Sequence, residues 1–439
     1  MKKKYRIILY TSIFLLCVVA SIILVVKKSN SVYEEESKPK VVKHKSMLSM
    51  NLEQTAGSGD YKTVTQSSWP TEGYKFNAEL SKCENGSTLS WDDTKKAVIM
   101  QGNVSDKCYV YFDIWIPSIA DYCTSGTDLA TCVKNFGDQG PSVSNIYIHN
   151  SSLTNGAGDN SYRYAGANPN NFVCFGSDAS PCPIDNLYRI IGVFGENYHG
   201  ANGKQLVKLI KYDYMTTDEL GTDGDYSQTY KEWGMDSTYK GTYGDGERIG
   251  VYYWNYKATG SATNTWSTSL LNKTNLNTNF INNIGTTWAN KIATVTWKVG
   301  GNTWANIGTK TSSVAYTNEI TNPVTTNTTD NATTYSAKIG LMYVSDYGFA
   351  ASPDAWTLTM SSYNNTKSTN NNWMYMGLYE WTISRDAGGS GGAFYVYDDG
   401  YVSNFYVFID YGVRASFNLE SSVSYVSGSG SMSDPIVIN

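Results

Sequence analysis

Cysteine is the most reactive residue type of this 439-residue chain, and six of its seven cysteines follow one another in three local couples. The six are Cys83, Cys108, Cys123, Cys132, Cys174 and Cys182. An even set of cysteines in an exported region is typical of disulfides. Because each couple is short and lies in its own segment, the sequence predicts the bridges Cys83–Cys108, Cys123–Cys132 and Cys174–Cys182.

Other reactive groups are sparse. The chain has three histidines, His44, His149 and His199, and no C-x-x-C pair. Zinc is therefore disfavoured, and we expect no metal and no cofactor. We identify no catalytic set, since there is no H-E-x-x-H and no cysteine–histidine pair in a suitable context. The prediction is that the protein is not an enzyme.

Aromatic residues near the C-terminus form the candidate ligand-binding set. Its members are Trp373, Tyr379, Tyr395, Tyr397, Tyr401, Tyr406 and Tyr411. Strand side chains alternate between faces, so one face of this region fills the core and the other carries tyrosines. Tyrosine offers a large, rigid contact area with a hydroxyl that can stay hydrated. The alternative is that a long loop covers this face and the tyrosines are packing residues.

The elements that position these residues are predicted to be mainly β with some helix, an α+β fold. Abundant tyrosine and tryptophan favour pleated sheet. We expect five segments, namely a signal anchor at 1–28, a flexible stalk at 29–60, a small β-module at 61–116, a connector with a cysteine clasp at 117–150, and a large domain at 151–439.

Local patterns predict several elements more closely. Leu187 to Phe194 is a buried strand that pairs with Gln205 to Tyr212, and Asp128 to Asn135 is a short helix. Apolar residues recur at helical spacing in residues 266–292. Residues 300–334 are rich in Thr and Asn, which indicates a long exposed loop. Asp399-Gly400 is a hairpin turn signal.

The N-terminus predicts a membrane anchor. Four basic residues precede an uncharged apolar run from Ile7 to Val26, which is long enough to span a bilayer as a helix. An uncleaved signal anchor fits better than the alternative, a cleaved signal peptide. The excess of basic residues before the span predicts a cell-membrane protein of single-pass topology, with the C-terminal domain extracellular.

Charge excludes one class of partner. The chain has 39 acidic and 34 basic residues, and six of the basic ones belong to the N-terminal 28 residues. The remainder is thus strongly acidic and repels phosphate backbones, so nucleic acid is not an expected partner.

Several motifs of the large domain resemble a known superfold. Their order is YRIIGVF, IGLMYVSDYG, WTISR, GVRASFNL and, after a Gly/Ser turn, SDPIVI. As a set they resemble a bacterial surface-protein domain similar to the C-type-lectin-like fold, which is shared with formylglycine-generating enzymes and receptor-binding proteins. The resemblance covers residues 160–439, and Ala415 replaces the proline that usually follows the late arginine. The small module before it also resembles one that recurs in such surface proteins.

The resemblance has implications for single residues and for function. Glu380 corresponds to the glutamate of a core E-W-T strand and Arg414 to the arginine of a late G-x-R strand, and we expect them to form a structural ion pair. Formylglycine chemistry needs reactive cysteines, and none follows Cys182. An enzyme of that family is therefore the least favoured of three alternatives.

The favoured function is ligand binding or adhesion, with a glycan or a surface protein as the partner, because such folds present loops on a stable scaffold. The second alternative is a structural envelope or stalk protein without a small ligand. An exposed aromatic patch is expected of a binder and not of a spacer.

Overall fold

A computed structural model describes residues 48–65, 68–103, 105–222, 231–235, 239–242, 246–257, 261–325, 332–364 and 371–439. The chain folds into two compact units, one ending at Ile116 and the other running from Pro117 to Asn439. Both units are built mainly from β-strands, and the described helices all lie in the larger unit.

The smaller unit is a five-stranded sheet with a separate hairpin. Its strands are β1 Leu48–Glu53, β2 Tyr61–Val64, β3 Tyr74–Phe76, β4 Lys82–Cys83, β5 Thr88–Asp92, β6 Ala97–Gln101 and β7 Cys108–Ile114. The sheet order is β2-β1-β7-β3, β4 also pairs with β7, and β5–β6 form the hairpin. Alternate residues of β7 point inward, so that Val110 and Phe112 pack with Met50 and Leu52 in the core.

Strand β1 corrects the prediction of a flexible stalk over residues 29–60 for its described part, residues 48–60, while residues 29–47 lie outside the described residues. It lies between β2 and β7 and pairs with β7 in parallel. Its last residue, Glu53, is buried and accepts hydrogen bonds from the backbone N–H groups of Gly59 and Ile114. The alternation of apolar residues in LSMNLE is the physical reason, because Met50 and Leu52 gain a core to pack against.

The larger unit contains two larger sheets and two strand pairs. Its strands are β8 Ile146–Ile148, β9 Tyr162–Tyr164, β10 Phe172–Cys174, β11 Leu187–Phe194, β12 Leu206–Lys211, β13 Lys231–Gly234, β14 Arg248–Tyr253, β15 Val295–Lys298, β16 Thr334–Ala337, β17 Ile339–Gly340, β18 Glu380–Arg385, β19 Gly392–Val396, β20 Val402–Tyr406, β21 Asp410–Gly412, β22 Ser416–Asn418, β23 Tyr425–Ser427 and β24 Val437–Ile438.

The seven-stranded sheet has the order β17-β22-β12-β11-β9-β8, with β10 also paired to β11. Every residue of β11 and β12 is buried, and the two strands are antiparallel, which confirms the predicted strand pair. The six-stranded sheet has the order β13-β14-β21-β18-β19-β20. Gly400 has a φ of 100° in the turn between β19 and β20, which confirms the predicted hairpin turn.

Helices of the larger unit are short. The α-helices are Leu129–Gly137, Pro141–Ser144, Thr217–Leu220, Ile281–Ala289, Trp304–Gly308, Ser312–Tyr316 and Val344–Ala350, and the π-helices are Leu271–Phe280 and Thr317–Thr321. Single 3₁₀ turns lie at Ile119–Asp121, Ile184–Asn186, Asn197–His199, Trp266–Thr268, Pro353–Ala355 and Met360–Ser362. The helix predicted in residues 266–292 is thus a 3₁₀ turn, a π-helix and an α-helix in succession.

Residues 117–150, expected to be a connector, belong to the larger unit. The helix Leu129–Gly137 begins after Asp128, whose side chain accepts a hydrogen bond from the Thr131 N–H at 2.8 Å, as an N-cap does. Leu129, Val133 and Phe136 lie in the main core of this unit. The predicted short helix is confirmed.

The prediction of an exposed loop over residues 300–334 is wrong for residues 300–325. This segment contains two α-helices and a π-helix, and it buries Ile307, Ala315, Tyr316 and Ile320. Thr and Asn side chains hydrogen-bond to the backbone here, as when Asn302 donates to the carbonyl oxygen of Ala315 at 2.9 Å. A polar composition is therefore compatible with a buried segment when its amides are paired.

In the part of the chain that the structure describes, no helix is long and apolar enough to cross a membrane. This finding corrects the predicted fold class and the predicted single-pass localisation, both of which included a transmembrane helix. The apolar run from Ile7 to Val26 itself lies outside the described residues.

All three predicted disulfides are confirmed, Cys83–Cys108 in the smaller unit, and Cys123–Cys132 and Cys174–Cys182 in the larger. The first bridge links paired residues of β4 and β7. The second ties the start of the helix Leu129–Gly137 to the chain before it.

Candidate functional site

The seven aromatic residues predicted to bind a ligand differ in exposure. Tyr406 is exposed, whereas Tyr379, Tyr397 and Tyr401 are half-buried. The other three are at most 8% exposed, namely Trp373, Tyr395 and Tyr411. Tyr395 and Tyr411 are packing residues, which limits the direct surface contact that this set can make.

Five of the tyrosines pack together on the six-stranded sheet. Tyr379 stacks on Tyr411 with ring centroids 5.2 Å apart, and Tyr397 stacks on Tyr401 at 4.5 Å. Tyr395 lies between them, 4.6 Å from Tyr411. These contacts arise because β19 and β21 both flank β18. Burial raises the pKa of Tyr401 to about 12, so its hydroxyl stays protonated at neutral pH.

An exposed aromatic patch lies next to this cluster. It consists of Phe405, Tyr406 and Phe408, which are 44%, 57% and 44% exposed. Tyr406 stacks on Phe408 at 5.2 Å. The patch is on the edge strand β20 and the turn that follows it, and its rings make contact chiefly with one another.

Trp373 lies apart from the tyrosine cluster, in the wall of a cavity of about 540 Å³. The cavity is lined by asparagines, aromatic residues and two cations, namely Ala167, Asn168, Asn170, Phe172, Arg189, Tyr212, Lys240, Asn372, Trp373, Tyr375, Met376 and Met432. Its size is that of a small-molecule site. Of these lining residues, Trp373 alone was predicted from the sequence to bind a ligand.

Arg189 is the central charge of the cavity wall. It belongs to β11 and is only 4% exposed. Its guanidinium lies between two rings, 4.4 Å from the centroid of Phe172 and 4.6 Å from that of Trp373. Aromatic faces attract the guanidinium and fix its plane.

Neutral oxygens are the hydrogen-bond acceptors of Arg189. Its Nε donates to the side-chain oxygen of Asn171 at 2.7 Å, and its Nη2 donates to the Pro169 carbonyl at 2.9 Å. Two further bonds, to Asn168 and to the Trp373 carbonyl, are 3.5 Å long. Among the described residues no carboxylate forms an ion pair with Arg189. Burial lowers the pKa of Arg189, since the charge is taken out of water without an opposite charge.

A second cation extends the same wall. The Lys240 ammonium lies 4.1 Å from the centroid of the Tyr375 ring, and burial lowers the pKa of Lys240. The Tyr375 hydroxyl donates to the carbonyl oxygen of Asp398, which ties the wall to the hairpin between β19 and β20. The cavity therefore presents two cations, several amides and aromatic faces at once.

The ion pair between Glu380 and Arg414 is present as predicted. Nε and Nη2 of Arg414 donate to the two carboxylate oxygens of Glu380 at 2.8 Å and 3.0 Å, and both side chains are buried. Nη2 also donates to the Met374 carbonyl at 2.7 Å, directly beside the cavity residue Trp373. The ion pair thereby fixes the segment around Met374, which forms one wall of the cavity.

Two sequence patterns with possible chemistry have structural roles instead. The described cluster with metal-ligand spacing, Cys83, Asp106 and Cys108, has both sulfurs in a disulfide, and Asp106 accepts hydrogen bonds from Asn85 and Ser87. Ser390 lies in a G-x-S-x-G string, but that string joins two antiparallel strands, β18 and β19. A nucleophile elbow needs a strand followed by a helix.

No protein-family model, no curated protein and no solved structure matches this chain. The resemblance to the C-type-lectin-like superfold consequently stays a prediction, and the site has to be interpreted from its own geometry.

Proposed function

We propose that the larger unit is a ligand-binding module that takes a small, carboxylate-bearing sugar in the cavity beside Arg189. The observation that carries this proposal is a buried guanidinium, oriented by two rings and paired only with neutral oxygens, in the wall of a cavity of about 540 Å³. A buried cation without a counterion is costly. A ligand carboxylate would offset that cost.

The two longest hydrogen bonds of Arg189 indicate where the carboxylate would bind. Both are 3.5 Å long and come from Nη1 and Nη2, the two nitrogens that form a fork. A carboxylate matches this fork with two parallel hydrogen bonds that are shorter and stronger than those to neutral oxygens. Exchange of two weak bonds for two strong ones favours binding.

The remaining wall supports a sugar as the rest of the ligand. Asn168 and Asn170 are exposed and offer amide donors and acceptors for hydroxyl groups. Tyr375 and Trp373 offer aromatic surface on which the apolar face of a ring can pack. The exposed patch of Phe405, Tyr406 and Phe408 also favours a binding protein over a plain spacer.

Binding of glucuronate and N-acetylneuraminate, measured by calorimetry, tests the proposal, with glucose as the uncharged control. We expect at least one acidic sugar to bind more tightly than glucose. Arg189→Met should weaken this binding roughly ten- to hundredfold, the usual effect of losing hydrogen bonds to a charged group.

Arg248→Met is the matched control, because Arg248 is an exposed arginine on β14 and outside the cavity wall. It should bind as the unaltered protein does. Equal binding of acidic and neutral sugars, no binding of either acidic sugar, or full binding by Arg189→Met would each overturn the proposal.

A further inference from the structure

Lys208 and Asp346 form a fully buried pair in the larger unit, remote in sequence from each other by 138 residues. Lys208 lies on β12, in the middle of the seven-stranded sheet, and Asp346 lies in the first turn of the helix Val344–Ala350. Their side chains are 1% and 0% exposed. The proposed sugar cavity uses neither residue.

The two side chains are in reacting distance. Lys208 Nζ lies 2.5 Å from Asp346 Oδ2. A carboxyl carbon–oxygen bond is about 1.2 Å long, so Nζ is at most roughly 3.7 Å from the carboxyl carbon Cγ. Amide formation between an amine and a carboxyl group needs the nitrogen and the carbon at about 3–3.5 Å. The folded chain thus holds the two groups close to the geometry of attack.

Aromatic rings enclose the pair. Lys208 Nζ lies 4.4 Å from the centroid of Tyr343, 5.1 Å from Trp297 and 5.9 Å from Phe194. Such an enclosure excludes bulk water, which would otherwise solvate the amine and hydrolyse a product. Burial lowers the pKa of Lys208, which brings its neutral, nucleophilic form within reach.

Arg163 faces the other oxygen of the same carboxyl group. Its Nη1 lies 3.6 Å from Asp346 Oδ1, and neither atom makes a hydrogen bond. A cation at this position stabilises the negative charge that Oδ1 gains when Cγ is attacked. Burial acts to raise the pKa of Asp346, but Lys208 and Arg163 lower it overall, so the resting pair is an ammonium and a carboxylate.

Glu319 is a second buried carboxyl group beside the pair. Its Oε1 accepts a hydrogen bond from the N–H of Ser345, the residue before Asp346, at 2.7 Å, and its Oε2 accepts one from the Ser384 hydroxyl at 2.6 Å. Burial raises the pKa of Glu319, and its charge interacts with both Lys208 and Asp346. Glu319 therefore acts on the pair through its charge and through the position of Ser345.

We propose that this chain joins Lys208 to Asp346 by an intramolecular isopeptide bond that it forms itself. Lys208 transfers one proton to the Asp346 carboxylate, and its Nζ lone pair then attacks Cγ. One of the two protons left on the nitrogen passes to the departing Asp346 oxygen, and the other stays on the amide nitrogen. The Nζ–Cγ bond forms, the Cγ–Oδ2 bond breaks, and one water leaves with no change of oxidation state.

The energetics favour the product in the interior. An ion pair in a low-dielectric core carries a desolvation cost that the amide does not have, and the water released enters the solvent. The bond would join the centre of the seven-stranded sheet to the helix Val344–Ala350. It would close a covalent loop that consists of the chain between Lys208 and Asp346.

Peptide mapping of the full chain tests the proposal directly. The protein is reduced, denatured, digested and analysed by mass spectrometry. We expect one species in which the peptides containing Lys208 and Asp346 are joined, with a mass equal to both peptides less one water. Separate peptides of unaltered mass, the result expected of a plain ion pair, would overturn the proposal whatever the variants do.

Two variants assign the roles. Lys208→Met should yield only separate peptides. Asp346→Ala removes the carboxyl group that is attacked and should likewise yield only separate peptides, with circular dichroism reporting whether the variant is folded. Glu196→Gln, an exposed glutamate, is the matched control and should be joined as fully as the unaltered chain.

Discussion

Arg414 and Arg189 are both buried in the larger unit and close enough for their charges to interact, yet their surroundings differ. Arg414 donates two hydrogen bonds to the Glu380 carboxylate. Arg189 donates to an amide and to carbonyl oxygens. Glu380 more than offsets the effect of burial and raises the pKa of Arg414, whereas burial lowers the pKa of Arg189.

This difference separates a cation that is neutralised within the fold from one that is not. The charge of Arg414 is neutralised within the fold, so it stabilises the wall that contains Met374. The charge of Arg189 has no carboxylate partner among the described residues, and the proposed ligand would supply one. Lys208 is a third case, in which the neutralising carboxyl group is also placed to react. Substitutions at Arg414 and Arg189 and the titration of two buried histidines test how the interior handles charge.

Arg414→Met should have the largest effect. It leaves the Glu380 carboxylate buried without its cation, and such changes cost about 3–5 kcal/mol of the free energy of unfolding. Denaturant unfolding followed by tryptophan fluorescence measures this loss. The double variant Arg414→Met, Glu380→Met removes both charges and should recover most of it. A double variant as unstable as the single one would show that packing, and not charge, dominates at this position.

Acid should destabilise the larger unit through its buried histidines. Burial lowers the pKa of His199 and lowers that of His149 well below the usual value. Below about pH 6.5 the unfolded chain binds a proton at each histidine, whereas the folded chain does so only at a lower pH. The stability that the two neutral histidines contribute is therefore fully present above pH 6.5 and is lost as the pH falls toward their lowered pKa in the folded state. In this range the free energy of unfolding falls by about 1.4 kcal/mol per pH unit of acidification for each histidine.

The two histidines differ in their surroundings, because only one of them contacts a carboxylate. His199 Nε2 lies 3.0 Å from Asp159, whereas the His149 ring packs on Phe349 and Trp356. We therefore expect His149→Asn to reduce the slope over a wider range of pH than His199→Asn does. Unfolding curves recorded between pH 7 and pH 4.5 provide the measurement. Stability that is flat over this interval would contradict the assignment.

Local signals predicted much of the fold. Short cysteine spacing was sufficient for the three disulfides, and apolar runs were sufficient for β11 and β12. The pair Glu380 and Arg414 came from a resemblance in the motifs around them. Segment 300–325 was misjudged because its Thr and Asn residues satisfy the backbone internally, which composition does not reveal.

Most of the charged interior could not be predicted, since its partners are distant in sequence. Arg189 and Lys208 each interrupt an apolar strand, and that interruption is the signal available in the sequence. It does not reveal whether another element supplies a carboxylate partner. Asp346 pairs with Lys208 across 138 residues, whereas no carboxylate of the described residues forms an ion pair with Arg189.

Arg189→Met should have the smallest effect on stability. The variant loses hydrogen bonds worth about 1 kcal/mol each, but it also removes a desolvated charge, so the two changes offset each other. We expect the free energy of unfolding to change by about 1 kcal/mol or less, well below the loss in Arg414→Met. Both variants replace an arginine by the same side chain at a buried site, which makes them a matched pair in one unfolding experiment. If Arg189→Met were as costly as Arg414→Met, the charge of Arg189 would already be neutralised within the protein, and the cavity would have no unmet charge with which to attract a carboxylate.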